Sequence, residues 1–265
     1  MPADTRSGFL RALTRGFGEV KSILITLALV ILAETVIAQP FIVPSGSMEP
    51  TLLVGDEIAA TKFAYGYDRY SLPFGLTLPF NGRIFARPPK RGDVVVFALP
   101  RDPSEDYVKR VIGLPGDRIQ MRKGQLYING QEVPRRPVGP VTLMLQGRPM
   151  TVMEYVETLP GGVSHYIAKI SNELPLNNTK VYVVPKGCYF MMGDNRDDSL
   201  DSRVPASQGG VGYVPANHLI GRVDRILFSI TPFTGWGDAL SHLGDLSISR
   251  VFKDVHFHGA PAAGS

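Results

Sequence analysis

Cysteine is nearly absent from this 265-residue chain, which contains one, Cys188. A single cysteine cannot form a disulfide within the chain, so packing, hydrogen bonds and ion pairs have to hold the fold. The composition is 44% hydrophobic and 20% charged, with a formal net charge of +4. Such a composition excludes a disordered chain and is typical of a protein that buries a full core in one or two domains.

Lysine and arginine are not concentrated anywhere in the sequence. They are scattered, whereas nucleic-acid-binding proteins gather them into a stripe with interleaved aromatic residues. The sequence therefore argues against nucleic acid as a partner.

The motifs of common cofactor and metal sites are also missing. We find no Walker loop, no dinucleotide-binding glycine fingerprint, no HExxH and no paired CxxC. The acidic stretch that starts at Asp194 resembles a calcium loop, but Arg196 occupies its third position and Ser199 the position where an EF-hand needs glycine. We therefore expect neither a metal nor a cofactor.

One long apolar segment is present, SILITLALVILAETVIA at residues 22–38, and its only charge is Glu34. As a helix it would be roughly 25 Å long, close to the ~30 Å thickness of a bilayer's hydrocarbon core. Basic residues precede it at positions 6, 11, 15 and 21, and the first charges after it are acidic. By the positive-inside rule, this pattern predicts a single-pass anchor over residues 22–39 with a cytoplasmic N-terminus. A cleaved secretory signal ending at Val36-Ile37-Ala38 stays open as an alternative.

The remainder of the sequence predicts mostly β structure. Asp93 to Leu99 is a run typical of a buried strand, and later strands are predicted to break at Lys123-Gly124 and at Asn129-Gly130. Asn-Gly between alternating apolar residues is the strongest short hairpin signal in a sequence. Asp238 to Val251 predicts one late helix.

Composition also suggests boundaries along the chain. A stretch rich in proline and glycine predicts an inserted β-rich subdomain that divides a larger domain in two. The predicted division is residues 1–21 as a cytoplasmic segment, 22–39 as the anchor, 40–119 and 186–255 as the larger domain, 120–185 as the insertion and 256–265 as a disordered tail.

The first stretch that could carry chemistry is FIVPSGSMEPTL at residues 41–52, with Ser45 and Ser47 on either side of a glycine. A serine hydroxyl is a poor nucleophile until a base takes its proton. None of the five histidines stands in a recognisable catalytic context, although a Ser-His-Asp triad stays open. Ser47 also lacks the GxSxG elbow, and Pro50 occupies the place of an SxxK lysine.

Two further stretches are YVKRVIGLPGD at residues 107–117 and MMGDNRDDSLDSR at residues 191–203. In a strand, Lys109 would share a face with Tyr107 and Val111 while Arg110 faces the other way. A lysine becomes a base when burial lowers its pKa, but an exposed strand lysine is the simpler interpretation here. For the second stretch the simpler interpretation is a polar turn in which Asp201 pairs with Arg203.

In their order and spacing behind an N-terminal apolar segment, the three stretches resemble the bacterial type I signal peptidases. PSGSMEPTL is similar to that family's nucleophile box, GDVVVF with YVKRVIGLPGD to its lysine boxes, and GDNRDDSLDSR to its last conserved box. The resemblance covers roughly residues 21–228 and implies a largely β catalytic domain with an inserted β-rich subdomain. It also implies a Ser-Lys endopeptidase that removes signal peptides from exported preproteins after Ala-x-Ala sites.

The resemblance implies a role for each matching residue. Ser47 would be the nucleophile and Lys109 its general base. Ser45 would complete an oxyanion hole with the Ser47 backbone N–H, and Ser199 would orient Lys109. Residues that support the site would be Asn195, Asp201 and Arg203. Residues that line the substrate pockets would be Phe41, Val43, Pro44, Met48, Leu52 and Val108.

The implied location is the bacterial inner membrane, with the catalytic domain on the periplasmic side. The implied partners are preproteins with signal peptides, the lipid bilayer and the secretion translocase. Two alternatives stay open: a Ser-Lys maturation peptidase with a narrow substrate range, and a single-pass scaffold in which Ser47 and Lys109 are only structural.

Overall fold

The computed structural model describes residues 19–30, 37–67, 82–145, 148–229 and 247–256. Within these ranges residues 19–30 are helical, and nearly all other regular structure is β. The strands are Ala38–Ile42 (β1), Asp56–Thr61 (β2), Val94–Leu99 (β3), Asp102–Gly113 (β4), Arg118–Arg122 (β5), Gln125–Ile128 (β6), Gln131–Glu132 (β7), Arg135–Leu145 (β8), Arg148–Thr158 (β9), Ser164–Lys169 (β10), Tyr182–Val183 (β11), Cys188–Met192 (β12), Val214–Pro215 (β13) and Leu219–Ser229 (β14).

The largest sheet has seven strands in the order β1-β2-β14-β3-β4-β12-β13. All of its pairings are antiparallel. β3 lies at its centre, and all six of its residues are buried. A continuous apolar run is what a strand covered on both faces requires, so the predicted buried strand is confirmed. The prediction of a mostly β chain is confirmed as well.

The segment between β4 and β12 forms two smaller antiparallel sheets, β10-β9-β8 and β11-β5-β6-β7. Both predicted strand breaks are confirmed, because β5, β6 and β7 are joined at Lys123-Gly124 and Asn129-Gly130. All four of these residues have a positive φ, from 46° at Lys123 to 80° at Gly130. Two successive positive φ angles are the requirement of a tight hairpin turn whose twist matches that of the strands.

The three-stranded sheet is connected to the polar loop of residues 193–203. Ala168 on β10 donates its N–H to the carbonyl of Asp194 at 2.9 Å and accepts from the N–H of Arg196 at 3.0 Å. This short parallel bridge aligns the loop along β10. The division of the chain into domains at residues 120 and 185 stays a prediction.

The described N-terminal helix, residues 19–30, covers only part of the anchor predicted over residues 22–39. In the described ranges, no helix combines the length and the apolar character needed to cross a bilayer. Residues 31–36 of the predicted anchor lie outside the described residues. The last two residues of the predicted anchor, Ala38 and Gln39, lie in β1 and pair with β2.

Most of the late helix predicted over Asp238–Val251 lies outside the described residues, as do residues 257–265 of the predicted tail. The described part is a short 3-10 turn, Ile248–Arg250. Arg250 from this turn binds both carboxylate oxygens of Asp56 at the start of β2. The end of the described chain thus packs against the beginning of the main sheet.

Candidate active site

Ser47 lies in a 3-10 turn, Gly46–Met48, that follows β1 after only three residues. Ser45 precedes this turn in an extended conformation. Pro44 has a fixed φ, which restricts the backbone just before the turn. At Gly46 a Cβ would lie 3.1 Å from Glu49 Cδ, so the turn packs closely against that side chain. The side chain of Ser47 is mostly covered, with 8% of the residue exposed.

Lys109 projects from the middle of β4, where the strand register places it opposite Val95 of β3. It is 3% exposed, and its Nζ lies 2.6 Å from Ser47 Oγ. The same nitrogen donates to the carbonyl of Val108 at 3.0 Å and lies 5.4 Å from the centre of the Tyr107 ring. The interpretation of Lys109 as an exposed strand lysine is wrong, because β4 is covered at this position.

The surroundings of Lys109 favour its neutral form. Burial lowers the pKa of Lys109 from 10.5 to about 8, while the carboxylates of Asp201 and Asp194 act in the opposite direction. Since desolvation dominates, a substantial fraction of the side chain is unprotonated at mildly alkaline pH. A neutral amine in hydrogen-bond contact with a hydroxyl is the geometry needed to take its proton.

We predict that peptidase activity rises with pH through an apparent pKa of about 8, the value for Lys109. The sign follows from the role of a base: the amine is active only when unprotonated, so kcat/KM falls as the pH drops below that value. Initial rates measured from pH 6 to pH 10 test this. A flat profile over that range would contradict a titrating lysine base.

The loop of residues 193–203 holds the turn that carries Ser47. Asn195 donates its backbone N–H to the Ser47 carbonyl at 3.1 Å, and its side-chain amide donates to the Gly46 carbonyl at 3.2 Å. Both donors therefore fix the backbone on which the nucleophile candidate sits. Asn195 was expected to support the site, and these two hydrogen bonds are contacts through which it could do so.

Asp201 and Arg203 form a buried pair at the far end of this loop. The Arg203 guanidinium binds Asp201 through Nε at 2.9 Å and through a terminal nitrogen at 2.8 Å. Burial would raise the pKa of Asp201, but Arg203 and the backbone N–H groups of Arg203 and Gly193 hold it below the usual value. The predicted pairing of Asp201 with Arg203 is present.

A second buried pair links the loop to β4. Arg110, the neighbour of Lys109, binds Asp194 through Nε at 2.8 Å and through a terminal nitrogen at 2.6 Å. Thr51, four residues after Ser47, donates its hydroxyl to the same carboxylate. Asp194 thus connects the nucleophile segment, the lysine strand and the loop. Neither this role nor its partners was expected from the sequence.

Ser199 lies beside the site but without the expected contact. It is 7% exposed, and its hydroxyl has no hydrogen-bond partner among the described residues, so the predicted bond to Lys109 is absent here. The reason is the direction of the lysine, whose Nζ donates to Ser47 and Val108. A Cβ on Gly193 would lie 2.3 Å from Ser199 Oγ and 2.4 Å from the Ser47 carbonyl oxygen, so the loop packs there with no space for a side chain.

Ser45 is exposed, and its hydroxyl lies 3.3 Å from Ser47 Oγ. Ser47 Oγ therefore has two polar neighbours, the exposed hydroxyl of Ser45 and the buried amine of Lys109. A hydroxyl in this position is able to donate to an oxygen that develops negative charge next to Ser47.

A cavity of about 370 Å³ opens onto Ser47 and Lys109. Of the predicted pocket residues, Phe41, Val43, Pro44 and Val108 line it. Met48 and Leu52 are not among its lining residues, and their place in the substrate pockets stays a prediction. Both are fully buried in the core cluster, because the turn after Ser47 directs the chain inward, with Leu52 N–H bonded to the Met48 carbonyl at 3.0 Å.

Other residues of the cavity were missed. Ile58 and Val96 are the cross-strand partners of Phe41 and Val108. The register of the strands places both residues in the cavity wall, and register cannot be read from the sequence alone. The rest of the missed lining consists of Ile42, Gly46, Asp106, Tyr107, Asp198 and Leu200.

The three described histidines contact other parts of the structure. His165 is buried with its Nε2 3.6 Å from Glu157, His218 Nδ1 lies 3.0 Å from the Ala98 carbonyl, and His256 contacts Asp224. His242 and His258 lie outside the described residues. Across the described ranges, no three His, Cys, Asp or Glu side chains are grouped so as to hold a metal ion.

Comparison with known proteins places the chain among peptidases. The family model described as signal peptidase, peptidase S26, matches residues 17–228. The signal peptidase I of Rickettsia typhi is 39% identical over 256 residues, which cover 90% of this chain and 93% of that protein. The signal peptidase I of Rickettsia prowazekii is 40% identical over 249 residues, or 88% of this chain and 90% of that one.

A solved structure, a signal peptidase I from Enterococcus faecalis V583, matches at 27% identity and a TM-score of 0.31, over 51% of this chain and 97% of that one. The family match extends over most of the sequence and includes all three stretches described above. On the strength of the family match and the two relatives, the chain belongs to peptidase family S26, the signal peptidases, and is a serine endopeptidase.

Proposed function

We propose that this protein removes signal peptides from exported preproteins with a Ser-Lys dyad formed by Ser47 and Lys109. The observation that carries the proposal is the 2.6 Å contact between Lys109 Nζ and Ser47 Oγ in a buried setting that lowers the lysine pKa to about 8. Membership of the signal peptidase family supports the substrate class.

In the proposed reaction Lys109 Nζ takes the proton of Ser47 Oγ as the oxygen attacks the carbonyl carbon of the scissile peptide bond. The resulting oxyanion is held by the Ser47 backbone N–H and the Ser45 hydroxyl. When the C–N bond breaks, the Lys109 ammonium returns its proton to the departing amine of the mature protein. A water molecule, deprotonated by the same lysine, then attacks the acyl carbon. As the bond between that carbon and Ser47 Oγ breaks, Lys109 returns the proton to Ser47 Oγ, which releases the signal peptide with a new carboxylate end and restores the dyad.

The cavity walls support a preference for small residues at the cleavage site. Phe41, Val43, Ile58, Val96 and Val108 supply an apolar lining next to Ser47. The family resemblance implies that the pockets within this cavity are shallow. Shallow pockets admit alanine or serine and reject larger side chains by overlap, which discriminates more strongly than the ~1–3 kcal/mol that one methylene contributes in a roomy pocket. We therefore propose Ala-x-Ala sites as substrates.

A series of preproteins tests this proposal. We expect cleavage of several unrelated preproteins that carry Ala-x-Ala sites. Replacing the alanine before the scissile bond with leucine should lower kcat/KM by about 100-fold or more, because overlap with the cavity wall costs more than a lost methylene contact. Cleavage of only one preprotein would favour a narrow maturation peptidase, and equal cleavage of the leucine substrate would contradict the pocket assignment.

We also propose that the apolar segment that precedes β1, residues 22–37 of the predicted 22–39 anchor, holds the chain in the bacterial inner membrane, with residues 1–21 in the cytoplasm and the peptidase outside. The charge bias around the apolar segment supports this orientation. β1 leads from Ala38 toward Ser47 in nine residues, which reach at most about 30 Å. An anchor there would hold Ser47 near the membrane surface where a membrane-inserted signal peptide ends. Release of the full-length chain from membranes by an alkaline wash would contradict it.

The proposal also covers the domain division of the chain and its protein partner. Residues 40–119 and 186–255 would form the catalytic domain, and residues 120–185 the β-rich insertion. Besides preproteins and the lipid bilayer, the secretion translocase would be a partner, because substrates emerge from it at the same membrane surface. Crosslinking of the full chain in its native membrane tests this last contact.

A further inference from the structure

A buried cluster of charged groups lies behind the site, outside the proposed dyad. It consists of Arg110, Glu157, His165, Asp194 and Arg196, and none of them is more than 2% exposed. Charged side chains are rarely buried this completely unless each has a partner. The cluster contains two ion pairs, Arg110 with Asp194 and Arg196 with Glu157.

The second pair connects two parts of the chain that are distant in sequence. Glu157 lies near the end of β9, in the three-stranded sheet, whereas Arg196 lies in the loop that holds the Ser47 turn. The contact is bidentate: both terminal nitrogens of Arg196 bind Glu157, one of them at 2.8 Å from Oε1. Two parallel bonds fix the plane of the guanidinium as well as its position.

His165 of β10 fills the space between the two pairs. Its Nε2 lies 3.4 Å from an Arg196 nitrogen, 3.6 Å from Glu157 and 3.9 Å from Asp194. Burial and the guanidiniums of Arg110 and Arg196 hold the pKa of His165 well below its ordinary value, so the ring is neutral. As a neutral ring it adds no charge to the cluster.

Arg196 is the residue next to Asn195, which bonds to the carbonyls of Gly46 and Ser47. A shift of Arg196 would therefore move the donors that fix the Ser47 backbone. Arg196 also accepts at its own carbonyl from Arg203 and donates its N–H to Ala168. Glu157 supplies the two hydrogen bonds that join the Arg196 guanidinium to a carboxylate.

We infer that Glu157 is a positioning residue for the peptidase reaction: by fixing Arg196 it lets the three-stranded sheet set the position of Ser47 relative to Lys109. This inference rests on the proposed function, because it requires Ser47 to be the nucleophile. The sheet of β8, β9 and β10 would then help to position the active site, although neither Ser47 nor Lys109 belongs to it.

Glu157→Gln in the full chain tests the inference. The variant keeps the shape of the side chain and removes its charge, so one of the two parallel bonds weakens and the guanidinium loses its fixed plane. We expect kcat to fall by about 10- to 100-fold with KM changed less than twofold, since misplacement of reacting atoms affects the chemical step rather than binding. Glu154→Gln, on the same strand but only partly covered, is the matched control and should keep the wild-type kcat.

Removing one partner of a buried pair leaves an uncompensated charge and can unfold the chain. A second variant, Glu157→Gln with Arg196→Gln, removes both charges and should fold, while its kcat remains as low as that of the single variant. All rates are taken at a temperature well below each variant's Tm, because a purely structural role would lower Tm and leave kcat unchanged there.

A wild-type kcat in folded Glu157→Gln, or its restoration in the double variant, would overturn the inference. Ser47→Ala, measured in the same series, distinguishes a failure of the proposed function from a failure of the positioning role of Glu157. If Ser47→Ala retains turnover, the proposed function fails and the inference fails with it. If Ser47→Ala is inactive and Glu157→Gln is as fast as wild type, the positioning role alone fails.

Discussion

Replacing Lys109 with methionine is expected to lower kcat for preprotein cleavage by about 1,000-fold or more. Lys109 is the side chain within hydrogen-bond distance of Ser47 Oγ that can accept its proton, and general base catalysis typically contributes 10²- to 10⁴-fold. Methionine has a similar length and no basic atom, so it fills the same space between β4 and the Ser47 turn. The rate is measured on a preprotein with an Ala-x-Ala site, and the exposed Lys186→Met serves as the matched control.

The same variant should be more stable than the wild type at neutral pH. The pKa of Lys109 falls from 10.5 to about 8 on folding, which means that the folded state holds the ammonium at a cost on the order of 3 kcal/mol. That cost is present in full below pH 8 and disappears as the pH rises from about 8 to 10.5. Thermal melts at pH 7 and pH 10 should show a larger stabilisation at pH 7, and a destabilised variant at both values would contradict the account of Lys109.

Replacing Ser47 with alanine is expected to abolish turnover, with kcat reduced by at least about 1,000-fold. Without the hydroxyl no acyl group can form on the enzyme, and any remaining rate would come from substrate binding and the oxyanion donors. The change removes one oxygen from a turn whose backbone is held by Asn195, so the fold should be retained. Ser104→Ala, at an exposed position of β4, is the control. Turnover within tenfold of wild type in folded Ser47→Ala would exclude Ser47 as the nucleophile.

The sequence predicted those features that depend on the conformational preferences and hydrophobicity of neighbouring residues. The hairpin turn at Asn129-Gly130 follows from the φ angles these residues tolerate, and the buried strand β3 follows from a continuous apolar run. The family resemblance predicted the approach of Ser47 and Lys109, which are 62 residues apart in sequence. No rule of periodicity or spacing would have brought those two side chains together.

The parts that were missed depend on three-dimensional packing. Met48 and Leu52 are apolar residues beside the nucleophile candidate, and only the inward direction of the 3-10 turn shows that they belong to the core. The Glu157–Arg196 pair spans 39 residues and is set by how the three-stranded sheet meets the loop. The unpartnered hydroxyl of Ser199 likewise reflects the rotamer of Lys109, which a sequence does not specify.

The central claim is that Lys109 activates Ser47, and a serine-directed acylating probe tests it most directly. The wild type, Ser47→Ala and Lys109→Met are incubated with the probe at pH 9, where a lysine with a pKa of about 8 is mostly unprotonated, and the modified peptide is identified by mass spectrometry. The account predicts that the wild type is labelled at Ser47, that Ser47→Ala is not labelled, and that labelling of Lys109→Met is slower by about 100-fold or more. Labelling of Lys109→Met at the wild-type rate, or of the wild type at a serine other than Ser47, would contradict it.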